Sequence, residues 1–189
     1  AAALVRGTSP EASGLMSGIP SSSVAVVNLG CNTRVLDREG FGYLIPRMEK
    51  EDILGVVWDS SAFPQQNAHP GQTRLTVMLA GSSRPDAGNH PPKLLVEAAL
   101  KAVGRHLGIG IPPVAVRVTV AQDAIPQYVV GHAERVERIG KALHCDFNSK
   151  VSLAGSPWRG VAVNECIRDA KMAASSLTTD PAALQQFAH

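Results

Sequence analysis

Three observations predict a mixed α/β fold. Residues 24–29 are an unbroken apolar run with several Val residues, the composition of a strand covered on both faces. Residues 91–108 read as an amphipathic helix, with Pro91-Pro92 at its start and Gly108 at its end. Residues 153–167 read as a short apolar strand ending at Gly155, a turn carrying Pro157 and Gly160, and a helix beginning near Val161. A mixed or parallel sheet is the first expectation.

In chain order, the stretch before Val24 is rich in Ser, Gly, Ala and Pro and reads as a linker or an incomplete element. Apolar runs at 40–46, 53–60 and 74–81, joined by polar loops, predict consecutive antiparallel strands. Their Phe41, Leu44, Val57 and Met78 could form one wall of a large apolar pocket, or be plain core residues. In the 91–108 helix, Val96, Leu100, Val103 and Leu107 make the expected core stripe, and Glu97 and Lys101 an i,i+4 pair. Residues 114–120 alternate with period two, as in a strand with one polar face. Residues 124–128 are expected to be irregular, because Pro126 has no N–H and restricts Ile125. Residues 131–143 suit a short helix with Glu134, Arg135, Glu137 and Arg138 turned outward. The last helix repeats Val163, Ile167, Ala170, Ala174 and Leu177, a face small enough to pack closely on a sheet, before a frayed tail at 178–189.

Composition excludes several classes. With 44% hydrophobic and 18% charged residues the chain is globular rather than disordered. A net charge of +2 from 18 scattered Lys and Arg against 16 Asp and Glu implies no nucleic-acid partner, and 4% aromatic content leaves few stacking platforms. Cys31, Cys145 and Cys166 are odd in number and far apart, which predicts buried free thiols. No His or Cys pair has metal-ligand spacing, and the neighbours His144, Cys145 and Asp146 point in different directions on regular structure, so no metal is expected. No run has the length of a transmembrane helix and no secretory signal is present, while Ala1 in place of Met suggests processing or a piece of a longer chain.

Motifs narrow the chemistry further. The sequence has no G-x-S-x-G elbow, no Walker A loop and no complete G-x-G-x-x-G; Gly40-Phe41-Gly42 begins like the last but has Ile45 at its third position and Pro46 beyond. Paired carboxylates are missing from the apolar strands, so no catalytic acid or base is identified. The helix start at Val161, Ala162 and Val163 would point N–H groups at an anion or an electron-rich ring edge, with Glu165 supporting the helix dipole. Pattern alone therefore leaves two readings: an enzyme whose cofactor performs the chemistry, or a binding module for a large flat apolar molecule.

Three segments together resemble the C-terminal portion of protoporphyrinogen oxidases, FAD-dependent members of the flavin amine oxidase superfamily. They are Gly40-Phe41-Gly42-Tyr43-Leu44-Ile45-Pro46 with Leu54-Gly55-Val56-Val57-Trp58-Asp59-Ser60-Ser61-Ala62-Phe63-Pro64; Ile125-Pro126-Gln127-Tyr128 with Gly131-His132; and Leu153-Ala154-Gly155 through Gly160-Val161-Ala162-Val163-Asn164-Glu165-Cys166-Ile167. Thr76-Val77-Met78-Leu79 falls between the first two, and the similarity runs from about 24 to 177.

The resemblance implies oxidation of protoporphyrinogen IX to protoporphyrin IX in heme biosynthesis, with FAD as cofactor and oxygen as electron acceptor. It implies substrate contacts at Phe41, Leu44, Val57 and Met78, FAD contacts at Val161, Ala162 and Val163, a peripheral place on the mitochondrial inner membrane, and a possible homodimer. It also implies an organisation: 1–23 linker or truncated FAD-domain segment, 24–120 mainly substrate domain with a mixed or antiparallel sheet, 121–177 the closing strand-turn-helix of the FAD domain, 178–189 tail. The family's phosphate-binding glycine loop, ribose-binding acid and propionate-binding arginine lie outside these residues, and Ala121 stands where some relatives have Trp beside the flavin. Activity would therefore need the missing N-terminal part of the same protein. The rival readings are a non-catalytic porphyrin-binding or regulatory fragment without flavin, and another flavin amine oxidase with an apolar substrate.

Overall fold

The computed structural model describes residues 1–79 and 89–177, excepting the side chains of 176 and 177. The tail at 178–189 and the end of the 74–81 run lie outside the described residues. The chain divides into two compact units, one of residues 1–21 and 125–189, the other of residues 22–124.

The 22–124 unit is built on a five-stranded sheet in the order β2-β3-β4-β1-β5. Its strands are β1 (Ser21–Cys31), β2 (Gly42–Leu44), β3 (Gly55–Val57), β4 (Thr73–Leu79) and β5 (Ala115–Pro126). As expected, β2, β3 and β4 pair in succession and antiparallel, and β1 lies against β4 in the same sense. The 53–60 run is strand only over β3; a short helix, α3 (Asp59–Ala62), takes over at Asp59. Strand β5 also departs from expectation, because it continues through 124–126 where irregular backbone was predicted. It is an outer strand of the sheet and Pro126 is its last residue, a place where the absent N–H removes no ladder bond.

Side chains alternate across a pleated sheet, so only one face meets the core. Val27, Val56 and Val77 are in register and all fully buried. Helix α4 (Pro92–Leu107) contributes to the same hydrophobic cluster and is closed by Gly108 in the left-handed region, φ 67°. The predicted α4 stripe is rotated. Its buried residues are Leu95, Ala99, Ala102 and Val103, while Leu100 is exposed and Val96 and Leu107 are half-buried. Small side chains at 99 and 102 let the helix approach the flat β-branched surface of the sheet, which the bulkier predicted stripe would hold off. Glu97 pairs with Lys93 at 3.9 Å rather than with Lys101. Strand β1 is likewise covered on one face only, with Ala25, Val27 and Leu29 buried and the residues between them half-buried.

In the other unit the stretch read as a linker or an incomplete element is helical: α1 (Ala2–Val5) and α2 (Pro10–Ser17) precede the sheet. Pro10 at the helix start has no N–H to leave unpaired. Ala12 and Met16 of α2 share a core with Ile139 and Leu143 of α5 (His132–Asp146), Val5 and Trp158. Residues 153–155 do not form the predicted strand. A strand requires a hydrogen-bonding neighbour, and no described strand pairs with this segment. Two more helices follow, α6 (Ser156–Arg159) and α7 (Val163–Leu177). The expected packing face of α7 is bare: Val163 is 74% and Ile167 51% exposed, and Ala170 and Ala174 are exposed too. Among the described side chains of that helix, Asp169 is the buried one. Cys31 is buried as expected, whereas Cys145 is exposed because it sits on the outer side of α5. No described helix is long and apolar enough to cross a membrane.

Candidate functional site

The sheet register decides how the sequence candidates are arranged. Directly opposed residues share a face, so Leu44, Gly55, Met78 and Val26 form one row across four strands, and Gly42, Val57, Thr76 and Asn28 a neighbouring row on that same face. This is the face opposite Val27, Val56 and Val77. Leu44, Val57 and Met78 are therefore brought together on the open side of the sheet, with Leu44 exposed and the other two half-buried. Phe41 precedes β2 and is 70% exposed; its carbonyl accepts the Trp58 N–H at 2.9 Å.

Two glycines give this face a backbone floor. A Cβ on Gly55 would lie 2.4 Å from the Tyr43 carbonyl oxygen and 2.9 Å from Leu44 Cδ2, so the Leu44 side chain occupies the space that a side chain at 55 would need. Gly42, at φ 136°, is closed to side chains in the same way. The result is a low platform between Leu44, Val57 and Met78. Toward β1 it turns polar: Asn28 Nδ2 donates to Thr76 Oγ1 at 2.7 Å, and the Thr76 hydroxyl donates to Asp59 Oδ2 at 2.8 Å.

A cavity of about 840 Å³ lies at the β2 edge and is lined by Leu36, Tyr43, Leu44, Trp58 and His106 among others. Of the sequence candidates only Leu44 reaches it. The Tyr43 hydroxyl and His106 Nδ1 are 2.9 Å apart, and His106 Nε2 lies 3.6 Å from Glu51. Burial, and then the Glu51 charge, push the Tyr43 phenol up to about 12. A phenol whose folded pKa exceeds its unfolded value near 10 stabilises the fold below pH 10, and that contribution is lost between about pH 10 and 12. Absorbance titration should show one phenol ionising near 12, and Tyr43→Phe should remove that transition. A protein whose tyrosines both titrate at 10 would contradict this environment.

The C-terminal turn is held by side chains that the sequence reading passed over. Asp169, 2% exposed, accepts the Gly155 N–H at 3.0 Å through Oδ2 and the Arg159 guanidinium through Oδ1. At the far end of the turn, the Tyr128 hydroxyl accepts the Gly160 N–H at 2.8 Å and donates to the Ser156 carbonyl at 2.5 Å, its ring stacked on His132 at 3.9 Å. Both ends of residues 155–160 are thus pinned. Gly160, at φ 148°, interrupts the helix between α6 and α7, so α7 begins at Val163 rather than Val161. The Ala162 N–H donates to Glu165 Oε2 at 3.1 Å, half of a capping box. One of the three candidate amides is therefore already used, and those of Val161 and Val163 have no acceptor among the described residues. The only early signal for Asp169 was a charged residue three positions after Cys166, which periodicity alone assigns to solvent.

Arg159→Met should destabilise the chain by about 2–3 kcal/mol. It strands a buried carboxylate, a loss of roughly 3–5 kcal/mol in a fully buried pair, moderated here because Arg159 is 56% exposed. Asp169→Asn should cost less, since an amide oxygen can still accept the Gly155 N–H. Urea unfolding measures both, and an Arg159→Met value within 0.5 kcal/mol of the parent, about the scatter of neutral surface changes, would contradict the clamp. Among the described residues no cluster of His, Cys, Asp and Glu could hold a metal ion.

No protein-family model matches the chain. Bovine protoporphyrinogen oxidase is 39% identical over 171 residues, covering 88% of this chain and 36% of the relative; the Schizosaccharomyces pombe enzyme is 33% identical over 167 residues, covering 85% and 33%. Among solved structures, one from Exiguobacterium that carries the protoporphyrinogen oxidase name provisionally matches with a TM-score of 0.76 at 23% identity, over 93% of this chain and 39% of that one. A reduced UDP-galactopyranose mutase matches with a TM-score of 0.61 at 11% identity, over 90% and 37%. These two likenesses show the fold alone: the chain matches part of the mixed α/β architecture of both proteins. The chain spans about a third of the length of these curated relatives, and over that third it is similar to protoporphyrinogen oxidases.

Proposed function

We propose that the chain is the C-terminal part of an FAD-dependent enzyme that oxidises protoporphyrinogen IX to protoporphyrin IX, with oxygen as the final electron acceptor. The observation that carries this reading is the convergence of Leu44, Val57 and Met78 on one open, glycine-floored face of the sheet. A flat apolar macrocycle can lie on such a platform without polar groups of its own being buried unpaired. Phe41 flanks β2 and would add an aromatic wall.

Residues 24–120 supply the substrate part in this proposal, and residues 121–177 the closing part of the flavin site. Bound FAD would supply hydride acceptance and electron transfer to oxygen. The Val161 and Val163 amides, at an exposed helix start with apolar side chains, fit the polar edge of a flat ring; Ala162 contributes small size rather than a donor, because Glu165 has taken its N–H. Asp169 and Tyr128 hold that start in place. The chain's own contribution to the reaction is orientation and exclusion of water, which can account for a large share of a rate enhancement.

The bare α7 face of Val163, Ile167, Ala170 and Ala174 is the seat we assign to the N-terminal part of the same polypeptide. A peripheral location on the mitochondrial inner membrane and a homodimer accompany the proposal through the family. The test is porphyrin fluorescence. The complete, FAD-loaded polypeptide should generate it from protoporphyrinogen, whereas the 189-residue chain alone should neither retain FAD on gel filtration nor generate it. A complete, flavin-loaded polypeptide that leaves protoporphyrinogen unoxidised would overturn the assignment.

A further inference from the structure

The polar end of the open sheet face carries an exposed cation, Arg117. Strand β5 lies beside β1. At one end a Cβ on Gly30 would meet Ala115 Cβ at 3.5 Å, and at the other Ser23 Oγ donates to Gln122 at 2.7 Å, so the two strands run in opposite directions. Val118 and Val120 pack into the buried cluster, which leaves Arg117 on the open face, and two residues on from the Gly30–Ala115 contact it comes beside Asn28. The row from β2 to β5 is then Gly42, Val57, Thr76, Asn28, Arg117, apolar at one end and cationic at the other.

A cavity of about 410 Å³ on this face is lined by Asn28, Asp59, Arg74, Thr76 and Arg117 among others. The other charged groups in it are engaged. Asp59 accepts from Thr76, and the Arg74 guanidinium is held by Asn67 Oδ1 at 3.0 Å, the Phe63 carbonyl at 3.2 Å and the Asp59 carbonyl at 3.4 Å. Arg117 alone among these makes no side-chain hydrogen bond or ion pair among the described residues. Three interstrand spacings separate it from Val57, about 14 Å.

We propose that Arg117, with Asn28 beside it, is a carboxylate-binding subsite for an acidic substituent of the ligand seated over Leu44, Val57 and Met78. This rests on the substrate reading above. A guanidinium that no described carboxylate contacts presents a fork of donors matched to a carboxylate, and a carboxylate there gains two charge-assisted hydrogen bonds, offset in part by the Asp59 charge in the same cavity. A neutral ester gains far less, so the subsite selects free acids over their esters.

The test compares protoporphyrinogen IX with its dimethyl ester in the complete, flavin-loaded polypeptide. Arg117→Ala should raise KM for the free acid about tenfold, the usual size of one exposed charge-assisted contact, with kcat and flavin content unchanged, and should leave the ester's KM unaltered. Arg117→Lys should restore part of the loss, because it keeps the charge but not the fork. Equal changes for acid and ester, or no change for either, would overturn the subsite. Met78→Lys serves as the separate control for the platform: if it leaves turnover intact, the substrate reading itself fails; if it abolishes turnover while Arg117→Ala shifts nothing, only the subsite fails.

Discussion

Met78→Lys in the complete polypeptide should lower protoporphyrinogen turnover by about 100-fold while the flavin stays bound. Met78 sits in the row Leu44, Gly55, Met78, Val26, where its neighbours offer no acidic partner. In the free protein a lysine there could keep its ammonium in water, because the face is open. With a macrocycle seated over it, that ammonium would be desolvated without a partner, a penalty of several kcal/mol. A loss of about 2.7 kcal/mol already corresponds to the 100-fold effect. Stability should change little, since the buried side of β4 is carried by Leu75, Val77 and Leu79. Met78→Leu should stay within a few-fold of the parent. Steady-state rates with flavin absorbance measured in parallel decide the matter, and a lysine variant with parental turnover would remove Met78 from the site.

Gly42→Ala should cost about 3 kcal/mol or more and detach the platform's outer strand. The backbone at 42 has φ 136°, a conformation L side chains rarely adopt, and the new Cβ would meet Val56 O at 2.1 Å and Val57 Cα at 2.9 Å. Those are backbone atoms of the strand to which β2 is paired, so relief requires breaking that pairing. Strain of 1–3 kcal/mol and overpacking of similar size therefore add. Loss of β2 would displace Leu44 and free Tyr43 from His106, returning the Tyr43 phenol from about 12 toward its ordinary value. Gly110→Ala is the control, because a Cβ there meets nothing within 4 Å. If urea unfolding and phenol titration put the two variants on a par, Gly42 has no such role.

How much of this was legible in the sequence depended on how far away the deciding partner lies. The strand runs, the Pro-opened and Gly-closed α4, and the helix at 131–143 were readable because each is set by residues a few positions apart. The three-segment resemblance also came from sequence, and the relatives bear it out. Errors began where packing chooses among local options. The α4 stripe slipped to Leu95, Ala99, Ala102 and Val103 because close contact with a flat sheet rewards small side chains, a preference that helical spacing cannot express. The N-terminal stretch folded as α1 and α2 because α5, distant in sequence, shares their core.

The candidate site divides along the same line. Composition and spacing by themselves pointed to the fold class, and the resemblance carried by the quoted segments named which residues to consider. The tertiary structure decided what those residues can do together. Pairing register put Leu44, Val57 and Met78 on one face, and the contacts of β5 with β1 and the core put Arg117 there too, since a slip of one residue would send a strand's side chains to the other side. Likewise, only the folded turn reveals that Glu165 has claimed the Ala162 amide and that buried Asp169 holds Gly155 and Arg159 in place. Hydrogen-bond ownership and facial alignment are relations between distant segments, and they come into being only when the chain has closed on itself.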